Sequence, residues 1–226
     1  MDGPIAQDII LKLKSRADPK NAAGMARFGI SSNNTLGIPM PFLRKLAKET
    51  GKDHQLALDL WRSGIHEAKI LACLVDELEK VTKEQMDEWA GDFDSWDVCD
   101  QVCINLFNRT EWGFSKAKQW TKSNEEFVRR AGFALMAALA VHAKKARDED
   151  FIAFFPYIKK HSIDERNFVR KAINWALRQI GKRNANLKKA AIKLAEEIKE
   201  IDSKTARWIA NDALRELKEK KFKIKT

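Results

Sequence analysis

Phe127-Val128-Arg129-Arg130-Ala131 recurs 41 residues later as Phe168-Val169-Arg170-Lys171-Ala172, and Ala176-Leu177-Arg178 recurs 37 residues later as Ala213-Leu214-Arg215. Arg170 and Arg207 keep the same 37-residue offset. A period near 40 residues is the mark of HEAT or armadillo units, in which each helical pair buries its apolar face only by stacking on its neighbours. The repeat therefore predicts an all-α fold: an α-solenoid of HEAT-like helical pairs, wound into a right-handed superhelix with a basic concave face. Almost no segment alternates apolar and polar residues with period two, whereas apolar residues return every 3.6 residues between short breaks of Asp, Asn, Ser and Gly.

This pattern places helices over 5–16, 40–50, 53–62, 65–79, 82–91, 95–108, 112–121, 125–143, 149–160, 165–181, 186–200 and 203–219. Asp94, Asn124, Asp164 and Ser203 stand where N-caps are expected. The stretch Gly29 to Pro39, rich in Ser, Asn and Gly, is the main non-helical insert. The whole chain, 1–226, reads as a single repeat domain.

Lysine and arginine number 42 against 32 acids, a net charge of +10 with the four histidines neutral, which favours a polyanionic partner. No run approaches the roughly 18 apolar residues of a membrane span, and the first residues, with Asp2, Asp8 and Lys12, lack the order of a signal peptide. A cytoplasmic protein with no membrane partner is expected. Cys73, Cys99 and Cys103 form no CxxC pair, so neither a disulfide framework nor a zinc site is expected, and no cofactor is called for.

Function is sought where a helix face departs from packing. At 100° per residue, Val169, Ala172, Ile173, Ala176, Leu177 and Ile180 fall within an arc of about 140°, the buried stripe. Lys171, Trp175, Arg178 and Lys182 share a separate arc of about 60°, which sets an aromatic among cations. Packing of Trp175 on the next repeat beside a solvated charged face is the alternative. Arg130 holds the place in its repeat that Lys171 holds in the next, and is expected on the same basic surface, where arrayed cations would contact phosphates with little sequence preference.

In Asp94-Ser95-Trp96-Asp97-Val98-Cys99-Asp100, the core stripe is Cys99, Val102, Cys103 and Leu106. Trp96 and Asp100 lie one turn apart at its edge and can act on one ligand. A core role for Trp96 and an ion pair from Asp100 to a neighbouring arginine such as Arg130 are the alternatives. Asp97 reads as part of an Asp-x-x-Asp helix start.

These residues resemble the AlkD-type DNA alkylation repair glycosylases, a family of HEAT-like repeats, over nearly the whole chain. In that family the aspartate of a Trp-x-x-x-Asp helix, an arginine in a following Arg-Ala segment and the tryptophan of a Trp-Ala-Leu-Arg segment line the concave cleft. The matching positions are Trp96 and Asp100, Arg130 before Ala131, and Trp175 in Trp175-Ala176-Leu177-Arg178. Asn21-Ala22-Ala23-Gly24-Met25-Ala26-Arg27-Phe28 is similar to the family's opening, with Phe28 standing where a cleft tyrosine is expected. The insert 29–39 departs from the family near the same end.

The resemblance implies a monofunctional enzyme that hydrolyses the N-glycosidic bond of N3- or N7-alkylated purines, such as 3-methyladenine and 7-methylguanine, in duplex DNA. Such a base already carries positive charge and leaves neutral, so the site needs no poised histidine, and the oxocarbenium-like sugar is what must be stabilised. Asp100 would do this and orient water, with Trp96 and Trp175 offering π faces. A carboxylate about 4 Å from a unit charge at a dielectric near 20 gains roughly 4 kcal/mol, enough for a labile cationic adduct and too little for an undamaged purine. Arg130 would anchor a phosphate near the lesion, Arg178 and Lys182 would extend that contact along the strand, and Lys171 and Phe28 would also bind DNA. The implied partner is alkylated duplex DNA, taken by a monomer without an obligatory protein partner. The alternatives are a non-catalytic HEAT-like protein that binds bent or branched duplex by shape, since the family includes members that bind without excising, and a protein-interaction scaffold.

Overall fold

A computed structural model describes residues 3–30 and 34–219. Every regular element among them is helical, as the repeat predicts. The chain divides into two compact units, 1–110 and 111–226. The first holds α1 (Pro4–Lys14), α2 (Pro19–Ala26), α3 (Met40–Thr50), α4 (His54–Arg62), α5 (His66–Val75), α6 (Lys83–Gly91) and α7 (Trp96–Asn105). The second holds α8 (Gly113–Trp120), α9 (Glu126–His142), α10 (Asp148–Ile152), α11 (Phe155–His161), α12 (Asn167–Gly181), α13 (Ala185–Lys199) and α14 (Lys204–Glu219).

In the second unit the repeat becomes visible as packing. Helix α12 lies against both α9 and α14, its equivalents one repeat before and after, while α8 backs α9 and α13 backs α14. The equivalent rings of Phe127 and Phe168 meet at 5.6 Å between centroids. Asn174, buried in α12, donates to the carbonyl of Ile209 in α14 at 3.1 Å. The expected stripe of Val169, Ala172, Ile173, Ala176, Leu177 and Ile180 is fully buried.

The first unit is built around α5, which packs on α3, α4 and α7. Its core includes Trp61 of α4 and Trp89 of α6, stacked with centroids 4.0 Å apart, and the Trp61 indole N–H donates to Asp92. The expected α7 stripe of Cys99, Val102, Cys103 and Leu106 is buried. All three cysteines are buried and none is in a disulfide, and burial pushes the Cys73 thiol far up.

Several boundaries differ from expectation for local reasons. The helix expected over 149–160 is two, α10 and α11, because Pro156 lies in the first turn of α11 and cannot donate a backbone hydrogen bond to continue α10. Helix α2 was not expected, although Asp18 caps it by accepting from Asn21 N at 3.0 Å, with Pro19 at its first position. Of the four expected caps, Ser203 accepts from Ala206 N at 3.3 Å. Asp94, Asn124 and Asp164 are not caps: α7, α9 and α12 start after Ser95, Glu125 and Arg166.

Candidate nucleic-acid interface and active site

In the first unit, Trp96 opens α7 and Asp100 follows one turn later, both half-buried, while Val98, Cys99, Val102 and Cys103 turn into the core. Trp96 is not a packed core residue. Its indole N–H donates to the backbone carbonyl of Phe28 at 3.0 Å, which ties the ring to that segment. The Phe28 side chain is 74% exposed, so an aromatic surface stands beside the Trp96 anchor.

Asp97 does more than begin the helix. Its carboxylate takes a 2.9 Å hydrogen bond with Nε2 of His66 on α5 and accepts from Ser95 Oγ at 2.7 Å. Burial alone would push His66 down, but the Asp97 hydrogen bond and the charges of Asp97, Glu67 and Asp94 outweigh it and hold its pKa above the ordinary value. Burial would likewise raise Asp97, and its bonds from His66 and Ser95 keep it below the usual carboxylate range. A buried histidine held to a carboxylate thus sits beneath the start of α7.

In the second unit, Lys171, Trp175, Arg178 and Lys182 do share one face of α12, and they differ in how far they are committed. Lys171 is exposed. Arg178 pairs with Glu216 of α14 and lies 3.7 Å from Asp212, and Lys182 reaches the same Glu216 at 2.9 Å. With its amide turned to satisfy both, Gln179 accepts from the Trp175 indole and from Lys182 at 3.2 Å each. The face is therefore half-neutralised, and a phosphate would share these cations with Glu216.

Arg130, the repeat equivalent of Lys171, is only 5% exposed and donates to the Phe168 carbonyl at 2.6 Å. Equal places in the repeat do not give equal exposure here. Its neighbour Arg129 joins Asp164 and Arg166 in a network. Burial would raise Asp164, but hydrogen bonds from Arg166 and Arg129 bring it down to about 2. Arg183 spreads over the carbonyls of Ala140, Ala143, Lys144 and Ala146 and covers the Phe151 ring at 4.4 Å, so it closes the C-terminus of α9.

A family model described as DNA alkylation repair enzyme matches residues 9–217. The chain belongs to the DNA alkylation repair enzyme family. A comparison with curated protein sequences finds no match. Among solved structures, it is similar to a member of a family described as related to the HEAT-like repeat DNA glycosylases with affinity for branched DNA structures. That match has a TM-score of 0.77 at 15% identity and covers 96% of this chain and 95% of that one. A designed armadillo repeat protein matches at 15% identity over 77% of this chain and 91% of its own, with a TM-score of 0.36. The first likeness gives the DNA alkylation repair chain a HEAT-like fold, and the second is too loose to argue from.

No group of three or more metal-ligating side chains gathers among the described residues. The feature of this family member that motif reading passed over is the pair His66-Glu67. It carries no local signature, because His66 meets Asp97 across 31 residues and Glu67 meets residues 36 to 38 across about 30.

Proposed function

We propose that the chain is a monofunctional DNA glycosylase that releases N3- and N7-alkylated purines, 3-methyladenine and 7-methylguanine among them, from duplex DNA. The observation that carries this reading is the face of α7. Trp96 and Asp100 stand one turn apart, outside the core stripe, in a chain of the DNA alkylation repair family.

In the reaction the N-glycosidic bond breaks with its electron pair moving to the alkylated base, which departs neutral. Positive charge builds on the sugar, and water adds at C1′ and gives up a proton. Asp100 stabilises that charge and orients the water, and Trp96 in the first unit and Trp175 in the second each offer a π face to DNA. Exposed Lys171 anchors phosphate, Arg178 and Lys182 extend the contact, Phe28 adds an exposed surface toward DNA, and Arg130, buried against the Phe168 carbonyl, holds the start of α12 instead of a phosphate. The protein acts as a monomer without cofactor.

A second reading is shape-selective binding of branched DNA without excision. It is favoured by the affinity for branched DNA ascribed to the similar structure and by the Glu216 pairs that temper the α12 cations. The deciding experiment incubates the protein with methylated duplex and quantifies released purines against Asp100→Asn. Release of about a thousandfold over Asp100→Asn, with DNA binding unchanged, supports the glycosylase. Full activity in Asp100→Asn sinks the mechanism, and intact binding without release moves the assignment to branched DNA.

A further inference from the structure

His66 and Glu67 open α5 side by side, both buried, at 3% and 1% exposure. Among the described residues the Glu67 carboxylate has no cation as a hydrogen-bond partner. It instead accepts from the backbone amides of Leu36 (2.9 Å), Gly37 (2.7 Å) and Ile38 (3.1 Å), and His66 N donates to Asn34 O at 3.1 Å. A buried carboxylate is tolerated only when hydrogen bonds replace its lost water, and three amides do so here.

The captured segment is tied onward. Asp18 N donates to Leu36 O at 2.7 Å, and the Asn21 amide donates to Gly37 O at 2.6 Å, so α2 is strapped to it. Gly37 has a positive φ of 78°, and a Cβ there would lie 2.3 Å from Asp18 O, so the strap has no slack. Helix α2 runs into Phe28, whose carbonyl receives Trp96, and the residue after Trp96 is Asp97, which returns to His66. The contacts close a circuit from α5 through 34–38, α2 and Phe28 to α7 and back.

We propose that His66 and Glu67 are positioning residues that hold Trp96, and through the first turn of α7 Asp100, in register with the Phe28 segment. The activity arm rests on the glycosylase reading, and the geometric arm does not. Asp97 favours the positive N-terminal end of α7, whereas a charged His66 opposes the like end of α5 and is kept there by Asp97. The charged groups acting on His66 are Asp97 and Asp94 from the α7 entry and Glu67 of its own helix. Loss of the His66 proton weakens the grip on α7, so the state of Trp96 follows it.

The test uses the full chain labelled with 5-fluorotryptophan, with the Trp96 fluorine resonance assigned from Trp96→Phe. In the unsubstituted protein this resonance is expected to move with pH, with a midpoint above that of an ordinary imidazole because of the Asp97 hydrogen bond. His66→Gln keeps a donor toward Asp97 but cannot titrate, so its resonance should stay still and its purine release should be flat across that range. His66→Ala and Glu67→Ala should shift the resonance and cut release at least tenfold, with DNA affinity within threefold, while Glu67→Gln stays within threefold in release. A Trp96 resonance that still titrates in His66→Gln overturns the proposal even if the alanine variants do not fold, as does one unmoved in folded alanine variants. If the unsubstituted protein releases no purine, the glycosylase reading falls, and the fluorine titration alone decides the positioning role.

Discussion

Gly132 in α9 lies where a Cβ would come within 2.8 Å of Thr121 N and 2.9 Å of Ala117 O, so α8 and α9 meet backbone to backbone. Neither atom can swing aside as a flexible side chain would. Gly132→Ala is expected to destabilise the second unit by roughly 1–3 kcal/mol, read as a lower denaturant midpoint with unchanged slope. Asp164 supports a pH prediction. Its pKa falls from 3.8 to about 2, so its contribution is fully present above 3.8 and is lost as pH drops through about 2. Asp164→Asn should flatten the fall in melting temperature between pH 4 and 2, at the cost of lower stability at neutral pH. At this scale spacing alone placed Trp96 and Asp100 one turn apart at the edge of the α7 core stripe, where the structure has them. It could not reveal that Arg130 is buried against Phe168 O or that Glu67 serves three distant amides, because those partners are set by packing between helices.

Where helices begin and end, local chemistry was readable only when it stayed local. Met40–Thr50 matches its expected bounds because Pro39 and Gly51 punctuate both ends. Helix α5 stops at Val75, short of its expected end at 79, since Asp76 turns extended and its carboxylate is taken by His54 and Gln85. Helix α7 ends at Asn105 because Asn108 folds back to donate to the carbonyls of Cys103 and Ile104. Both stops depend on side chains that apolar periodicity does not count. The pairing of α12 with α14 yields a functional prediction: Glu216→Gln should release Arg178 and Lys182 for phosphate. Because these side chains are largely buried, the cost in stability should be roughly 1–3 kcal/mol. DNA affinity at low salt should rise, and the slope of log K against log salt should steepen by about one, measured by fluorescence anisotropy.

For the molecule as a whole, a net charge of +10 means that affinity for any duplex should fall by orders of magnitude between about 50 and 200 mM salt, whatever its sequence. Equal affinity across that range would argue that phosphates are not the partner. The repeat made the helical class legible because stacked units must repeat their buried residues, whereas it does not fix exposure at equivalent positions, as exposed Lys171 against buried Arg130 shows. The buried cysteines have a practical corollary. Since a thiol shielded from solvent does not meet a reagent, the native protein should be inert to maleimides while folded. Lys171→Cys would then supply a single reactive handle on the basic face of α12, from which a photoreactive tether could record, nucleotide by nucleotide, where bound DNA passes.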